Sequence, residues 1–218
     1  MTEEAPPPSK LTISKQRWAE EGRFLVGRAA RPESERLPPG QHLTRDWPVL
    51  DLGLTPRVPL AEWSLRVFGA VAEPVTWRWA DYQALPQVHA VSDIHCVTTW
   101  SRFDNAWDGV STQAVLEAVR PLAAADFVVL HSHDGYTTNL PLADFAAPGA
   151  MLVHAWQGQP LTAKHGGPVR LIVPHLYLWK SAKWLERIEI RTGDAAGYWE
   201  TRGYHGRGDP WAEQRYSD

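Results

Sequence analysis

The chain has 218 residues, 44% of them hydrophobic, enough for one large domain or two small ones with a real core. A formal net charge of −3 at pH 7 provides no overall basic field to hold a nucleic acid or an anionic membrane surface. The apolar runs, such as Phe127 to Leu130, fall far short of the ~18 residues of a membrane span.

The opening Met1-Thr-Glu-Glu-Ala-Pro-Pro-Pro is acidic and proline-rich, unlike an export signal, so a cytoplasmic location is expected. Residues up to about Lys10 are expected to be disordered, Ile13–Leu25 to hold an amphipathic helical stretch around Trp18, and Ala30–Asp46 to form an extended arm. The interior begins near Trp47. A half-buried strand is expected at Trp63-Ser-Leu-Arg-Val, then a short helix over Thr76–Leu85 ending before Pro86, and a second alternating strand over Val88–Val97. After Cys96 the polar run Thr98, Thr99, Ser101, Asn105 and Asp108 reads as a loop. Ser111 is a candidate N-cap for a helix through Val119, which must stop at Pro121.

Phe127–His131 and Tyr136–Leu140 read as strands joined by the Asp134-Gly135 turn, and Met151–Trp156, Val169–Val173 and Leu185–Arg191 as further strands. The expected class is α+β, with mixed sheets, short helices and many loops. In outline, residues 1–43 form a disordered N-terminus and arm, 44–191 the functional domain, and 192–218 a tail packed on it. No G-x-G-x-x-G or Walker-type loop supports a common nucleotide-binding fold. Twelve tryptophans and eighteen prolines suit an aromatic, pocket-rich interior around a large ligand.

Cys96 is the only cysteine, which excludes an intrachain disulfide, a multi-cysteine zinc cage and an iron–sulfur cluster within one chain, and suits the reducing cytosol. A lone buried cysteine is most often an inert apolar residue; at the junction of a strand and a polar loop it could instead be a nucleophile or a soft metal ligand. A second informative stretch runs from His165-Gly-Gly-Pro-Val-Arg170 to Lys180-Ser-Ala-Lys183-Trp-Leu. Arg170, Lys180, Ser181 and Lys183 offer forked donors, point charge and a hydroxyl for a terminal phosphate, and the two glycines allow close backbone approach. Read blandly, Lys180 and Lys183 are a solvated pair on a turn. His131-Ser-His133 could place two imidazoles on one strand face as ligands of a hydrolytic zinc, although paired histidines on a hairpin are more often structural.

Cys96-Val-Thr-Thr-Trp-Ser, followed some seventy residues later by His165-Gly-Gly-Pro-Val-Arg-Leu-Ile-Val-Pro and Lys180-Ser-Ala-Lys-Trp-Leu, resembles the molybdenum-cofactor domain of the sulfite oxidase superfamily. The likeness runs from about Thr44 to Arg191 and is strongest to the small prokaryotic branch that includes the catalytic subunits of periplasmic methionine sulfoxide reductases. The tail Tyr198-Trp-Glu-Thr-Arg-Gly-Tyr-His-Gly-Arg-Gly-Asp-Pro-Trp211 resembles that of cytosolic stand-alone members. The resemblance implies Cys96 as the one protein ligand of molybdenum, beside the dithiolene of a pyranopterin (molybdopterin). It implies that Arg170, Ser181 and Lys183 hold the pterin and its phosphate, with Lys180 beside them and Ala182 giving a backbone contact. His165 takes a cofactor-contacting position, His131 and Ser132 lie near the pterin, and Thr44-Arg45-Asp46 matches a loop over it, with Asp46 where the family has asparagine.

Trp100, Trp107 and Trp179 are candidate walls of the metal funnel. The implied activity is two-electron oxygen-atom transfer on a small S-oxide, N-oxide or sulfite-like substrate, with electrons exchanged with a separate partner protein. A pterin-holding or sensing module without turnover is the alternative. After Cys96 the sequence offers only Arg102 where sulfite oxidases have paired arginines, which favours a neutral oxide held by Thr98, Thr99 and Ser101. The triplet Arg207-Gly-Asp209 is read as incidental.

Overall fold

The structure, a computed structural model, describes residues 33–217. The expected disorder before Lys10, the helical stretch at Ile13–Leu25 and the start of the arm at Ala30 lie outside the described residues. Within them, two mixed β-sheets pack around the main core, with short helices at their margins, and no helix is long and apolar enough to cross a membrane.

The first sheet is built on a long hairpin, β4 (Gln87–His95) and β5 (Trp100–Ser111), which pair from Gln87 opposite Val110 to His95 opposite Ser101. The other edge of β5 takes β1 (His42–Leu43) in parallel and β8 (Met151–Trp156) antiparallel, and β8 carries β9 (Gln159–Pro160) and β10 (Arg170–Ile172). The second sheet runs β3 (Val75–Arg78), β2 (Ser64–Gly69), β11 (Leu185–Arg191), β6 (Phe127–Ser132), β7 (Thr137–Pro141), with only the β2–β11 pair parallel.

Alternation explains these strands. Leu65 and Val67 of β2 are fully buried while Arg66 between them is exposed, as a sheet with one solvated face requires. In β8 the pattern is different: Met151, Leu152 and Val153 are all within 2% of complete burial, because both faces of the first sheet are covered. Leu152 joins the main core with Trp63, Leu65, Leu130 and Ile188, whereas Met151 and Val153 join a second cluster with Trp47, Cys96, Trp100 and Trp107.

The helices are α1 (Glu33–Arg36), α2 (Trp79–Ala84), α3 (Thr112–Val119) and α4 (Leu142–Phe145). Helix α3 starts as expected, with the Ser111 hydroxyl accepting from the Ala114 amide at 3.2 Å. It ends on Arg120 in the left-handed region just before Pro121.

Two expectations are corrected. Thr76–Leu85 is not all helix: Val75–Arg78 pairs with β2, and only Trp79–Ala84 is helical. The polar run after Cys96 is a loop only at Thr98 and Thr99, which form the turn; from Trp100 it is strand β5, whose polar groups find partners within the sheet and beside it: Asn105 bonds the Ser92 and Arg102 carbonyls, and Asp104 pairs with Arg36.

Candidate active site

A cleft of about 350 Å³ lies where strand ends of both sheets come together. The β4–β5 turn contributes Cys96, Thr98 and Trp100; the β6–β7 turn contributes Ser132, Asp134 and Tyr136; and the segment before and after β10 contributes His165, Arg170 and Ser181 to Trp184. Residues Trp47 to Leu52 form one wall, and the tail supplies Trp199 and Tyr204.

Cys96 is 5% exposed at the end of β4. Its amide donates to the Trp100 carbonyl (2.8 Å), its carbonyl accepts from the Thr99 amide (3.0 Å), and Thr99 holds φ 76° to close the turn. The carbonyl also accepts from Gln41 Nε2 at 3.1 Å; Gln41 Oε1 in turn accepts from Ser101 Oγ at 3.4 Å, and Ser101 Oγ lies 2.8 Å from His95 Nδ1. Burial pushes His95 down to about 4, so its imidazole is neutral at physiological pH. The Cys96 thiol is raised by burial, against opposing hydrogen bonds from Thr98 and the field of Arg215. A bound cation would reverse that balance.

Arg170 is the strongest electrostatic feature. The residue is 4% exposed, and its guanidinium donates to the carbonyls of His165 (3.0 Å), Ser181 (2.8 Å) and Leu171 (3.3 Å), with the Trp47 ring 5.2 Å away. Among the described residues no carboxylate pairs with it, and desolvation alone lowers it to about 9. Lys183 is lowered to about 8, first by desolvation and then by Arg170; its ammonium donates to the Leu50 carbonyl at 2.7 Å. Asp51 and Asp134 partly offset the lowering of Lys183 through space, but neither forms an ion pair with it; they accept from the Gly53 and Tyr136 amides within their own turns. The Ser132 hydroxyl is buried in the cleft wall without a hydrogen-bond partner. Two buried or half-buried cations without a direct ion pair, an orphaned hydroxyl and a soft sulfur donor in one cleft fit an elongated ligand with an anionic end and a thiophilic metal.

His165 stacks on Trp47 with ring centroids 4.2 Å apart. Its Nε2 donates to the Trp47 carbonyl (3.2 Å), so Nδ1 of the neutral ring accepts from the Thr162 hydroxyl (3.2 Å). Gly166 and Gly167 serve packing here rather than ligand approach. A Cβ on Gly166, at φ +95°, would lie 2.7 Å from Lys183 Cβ, and one on Gly167 would lie 2.3 Å from the Leu161 carbonyl oxygen.

Of the residues singled out in the sequence, Cys96, Ser132, His165, Arg170, Ser181, Ala182 and Lys183 line the cleft together, with Trp100 and Trp179. The others lie elsewhere. Lys180 is fully buried, and its ammonium meets Glu200 (2.6 Å), both oxygens of Asn139 and the Gly206 carbonyl, so it anchors the tail rather than a phosphate. His131 turns to Glu189 at 3.3 Å on the second sheet. Thr44, Arg45 and Asp46 precede the wall that begins at Trp47, with the Thr44 amide on Ser101 and the Arg45 carbonyl on Arg102. Trp107 packs edge-on behind Trp47 at 5.4 Å. The zinc alternative fails on placement: among the described residues no three His, Cys, Asp or Glu side chains group to hold a metal.

Thr98 reaches the cleft, but Ser101 is buried in the network behind Cys96 and Thr99 is exposed outside the lining. Arg102 also points away, stacked 4.7 Å over Trp156 and bonded to Asn105. Arg207 of the Arg-Gly-Asp triplet clasps the Asp144 carboxylate at 2.9 and 3.0 Å, a structural use. Sequence reasoning missed Trp199 and Tyr204, whose rings stack at 4.9 Å. The aromatic density of Tyr198-Trp-Glu-Thr-Arg-Gly-Tyr204 was the available signal.

Residues 52–199 match the family described as oxidoreductase molybdopterin binding domain. The chain is 45% identical over 186 residues to YuiH of Bacillus subtilis, an uncharacterized oxidoreductase, covering 85% of this chain and 94% of that protein. It is 24% identical over 156 residues to the protein-methionine-sulfoxide reductase catalytic subunit MsrP of Campylobacter jejuni, covering 64% of this chain and 52% of that one. Among solved structures, the sulfane dehydrogenase SoxCD from Paracoccus pantotrophus shares the fold, with a TM-score of 0.61 and 16% identity over 72% of this chain and 46% of that chain. The chain thus spans only about half the length of those two relatives. Its cleft and its relatives agree, and the non-catalytic alternative gives way: the chain belongs to the molybdopterin-dependent oxidoreductases of the sulfite oxidase superfamily.

Proposed function

We propose that this oxidoreductase reduces a small, neutral S-oxide or N-oxide by two-electron oxygen-atom transfer, with electrons delivered by a separate carrier protein. When bound, the molybdenum–pterin group supplies a two-electron couple that can accept or release an oxygen atom. In this reading Cys96 is the protein ligand of the metal, and the β4–β5 turn with its Gln41 support fixes the sulfur's position. Arg170 and Lys183 neutralise the phosphate end, the buried Ser132 hydroxyl gains a partner, and Ser181, Ala182 and His165 shape the wall around the pterin.

The observation that carries the choice of substrate is the division of charge within the cleft. Its cations belong to the His165–Lys183 region and to Lys164, whereas beside Cys96 the lining is Val97, Thr98, Trp100 and the tail's Tyr204. Arg102 is committed to Asn105 and Trp156, and Arg215, whose field reaches Cys96, donates to the Val97 and Pro39 carbonyls. A doubly charged anion would be desolvated there without forked donors to hold it, whereas a neutral oxide needs only one neutral donor, such as the Tyr204 phenol, and an aromatic wall. The name of the relative MsrP supports a sulfoxide as one substrate class.

A separate carrier is supported by the single cysteine, which cannot by itself hold a multi-cysteine iron–sulfur cluster for internal electron transfer. We place the protein in the cytoplasm, as suits a lone cysteine with no disulfide partner in the chain; cell fractionation tests that placement. The activity is tested by steady-state assays on one molybdenum-loaded sample: sulfoxide and N-oxide reduction with a reduced viologen, and sulfite oxidation with ferricyanide. Reduction should exceed oxidation. Efficient sulfite oxidation with no measurable oxide reduction would overturn the proposal.

A further inference from the structure

The turn that carries Cys96 holds a second group, a hydroxyl set against the sulfur itself. Thr98 Oγ1 lies 3.1 Å from Cys96 Sγ, within reach of a hydrogen bond to sulfur. Among the described residues this hydroxyl has no other partner. Its place is imposed by the turn: the Cys96 amide is tied to the Trp100 carbonyl, the Thr99 amide to the Cys96 carbonyl, and Thr99 sits at φ 76°. Behind the turn, Gln41, Ser101 and His95, all at least nine-tenths buried, form a polar chain ending on the Cys96 carbonyl.

We propose that the Thr98 hydroxyl is a standing hydrogen-bond donor to the Cys96 sulfur and thereby tunes the reduction potential of the metal that this sulfur binds. The inference rests on the reading of Cys96 as the metal ligand. A metal-bound thiolate carries no proton, so in that state only the hydroxyl can donate. Donation draws electron density from the sulfur, weakens its push onto the metal, and favours the reduced form, raising the potential. Thr98 is thus a positioning residue acting through Cys96. Its exposure makes the hydroxyl removable without opening a cavity in the core.

The test uses molybdenum-loaded wild type, Thr98→Val, which keeps the shape and removes the donor, and Thr98→Ser, which restores it. Mediated redox titration should show the valine variant at a lower potential, by a tenfold change in the reduction equilibrium constant, about 59 mV for a one-electron couple. The serine variant should return to within a small fraction of that shift. Thr98→Ala serves the same comparison if the valine variant takes up too little metal. X-ray absorption on the same samples counts the sulfurs around the metal. If the protein sulfur is present in all variants and the potential does not move, or if serine fails to restore it, the role of Thr98 is refuted. If wild type lacks a protein sulfur and matches Cys96→Ser, the reading of Cys96 as ligand falls, and the proposal with it.

Discussion

Lys183 should make anion binding in the cleft depend on pH, and the dependence can be worked from its surroundings. Desolvation and the neighbouring Arg170 hold its ammonium down to about 8, against an ordinary value of 10.5. From that value its charged fraction is about nine-tenths at pH 7 and about one-tenth at pH 9, so an anion that needs the charge should bind about tenfold more weakly at pH 9, or about 1.4 kcal/mol. Sulfate is the probe of choice, because it remains a dianion across this range and any slope belongs to the protein.

The assay is calorimetric titration of sulfate into protein prepared without the cofactor and shown to unfold cooperatively, at pH 7, 8 and 9. Lys183→Met should bind sulfate at pH 7 at least as weakly as wild type does at pH 9, and should keep only the shallower slope, about twofold between pH 7 and 9, that Arg170 contributes from its value of about 9. In the absence of anion, stability has the opposite slope. The unfolded chain holds more protons between about 8 and 10.5, so stability rises with pH through that window as an uncompensated cation is discharged. Sulfate affinity that is flat from pH 7 to 9 in wild type, or a slope in Lys183→Met as steep as that of wild type, would refute the assignment of an anion pocket to this cation.

Three further outcomes follow from the geometry. Cys96→Ser should leave a folded protein that keeps pterin and loses turnover, because the phosphate-end cations are untouched; fluorescence of the released pterin and steady-state assays check both halves. Glu200→Ala should destabilise the protein by about 3 to 5 kcal/mol in urea unfolding, since it strands the fully buried Lys180 ammonium and frees the Trp179 indole from its acceptor. Ser111→Ala should cost only about 1 kcal/mol by the same method, the worth of one helix cap, and should leave cofactor content unchanged.

Local pattern carried much of the strand architecture. Leu65, Val67, Leu130 and Ile190 alternate or cluster as buried strand residues do, and the Ser111 cap and Pro121 stop bracket α3 within one residue. Where local composition conflicted with pairing, pairing won. β5 is rich in polar residues, but both its edges are occupied by other strands, and its polar side chains are satisfied by partners such as Ser92 and Arg36 that are far away or on another strand. Thr76–Arg78 reads as part of a helix because nothing in its own sequence shows that β2 lies alongside.

The site divides in the same way. Cys96, Arg170, Ser181 and Lys183 were legible because they stand in contiguous motifs that one turn or one strand end presents together. Lys180, one residue from Ser181, was misassigned because its partner Glu200 comes from the tail, a contact that no local spacing reveals. His131 shares a strand with Ser132 yet faces the opposite way, toward Glu189, as the period of two requires. Thr98 and Ser101 were grouped as hydroxyls near the metal, but strand β5 buries Ser101 against His95 and leaves only Thr98 in the cleft.

The central claim is that this cleft holds molybdenum through the Cys96 sulfur. It is tested most directly by metal and pterin analysis of freshly purified wild type and Cys96→Ser, combined with X-ray absorption at the metal edge. The account predicts molybdenum and pterin in equal amounts in wild type, and one fewer sulfur around the metal in the serine variant. Zinc in place of molybdenum, or an identical sulfur count in the two proteins, would contradict it.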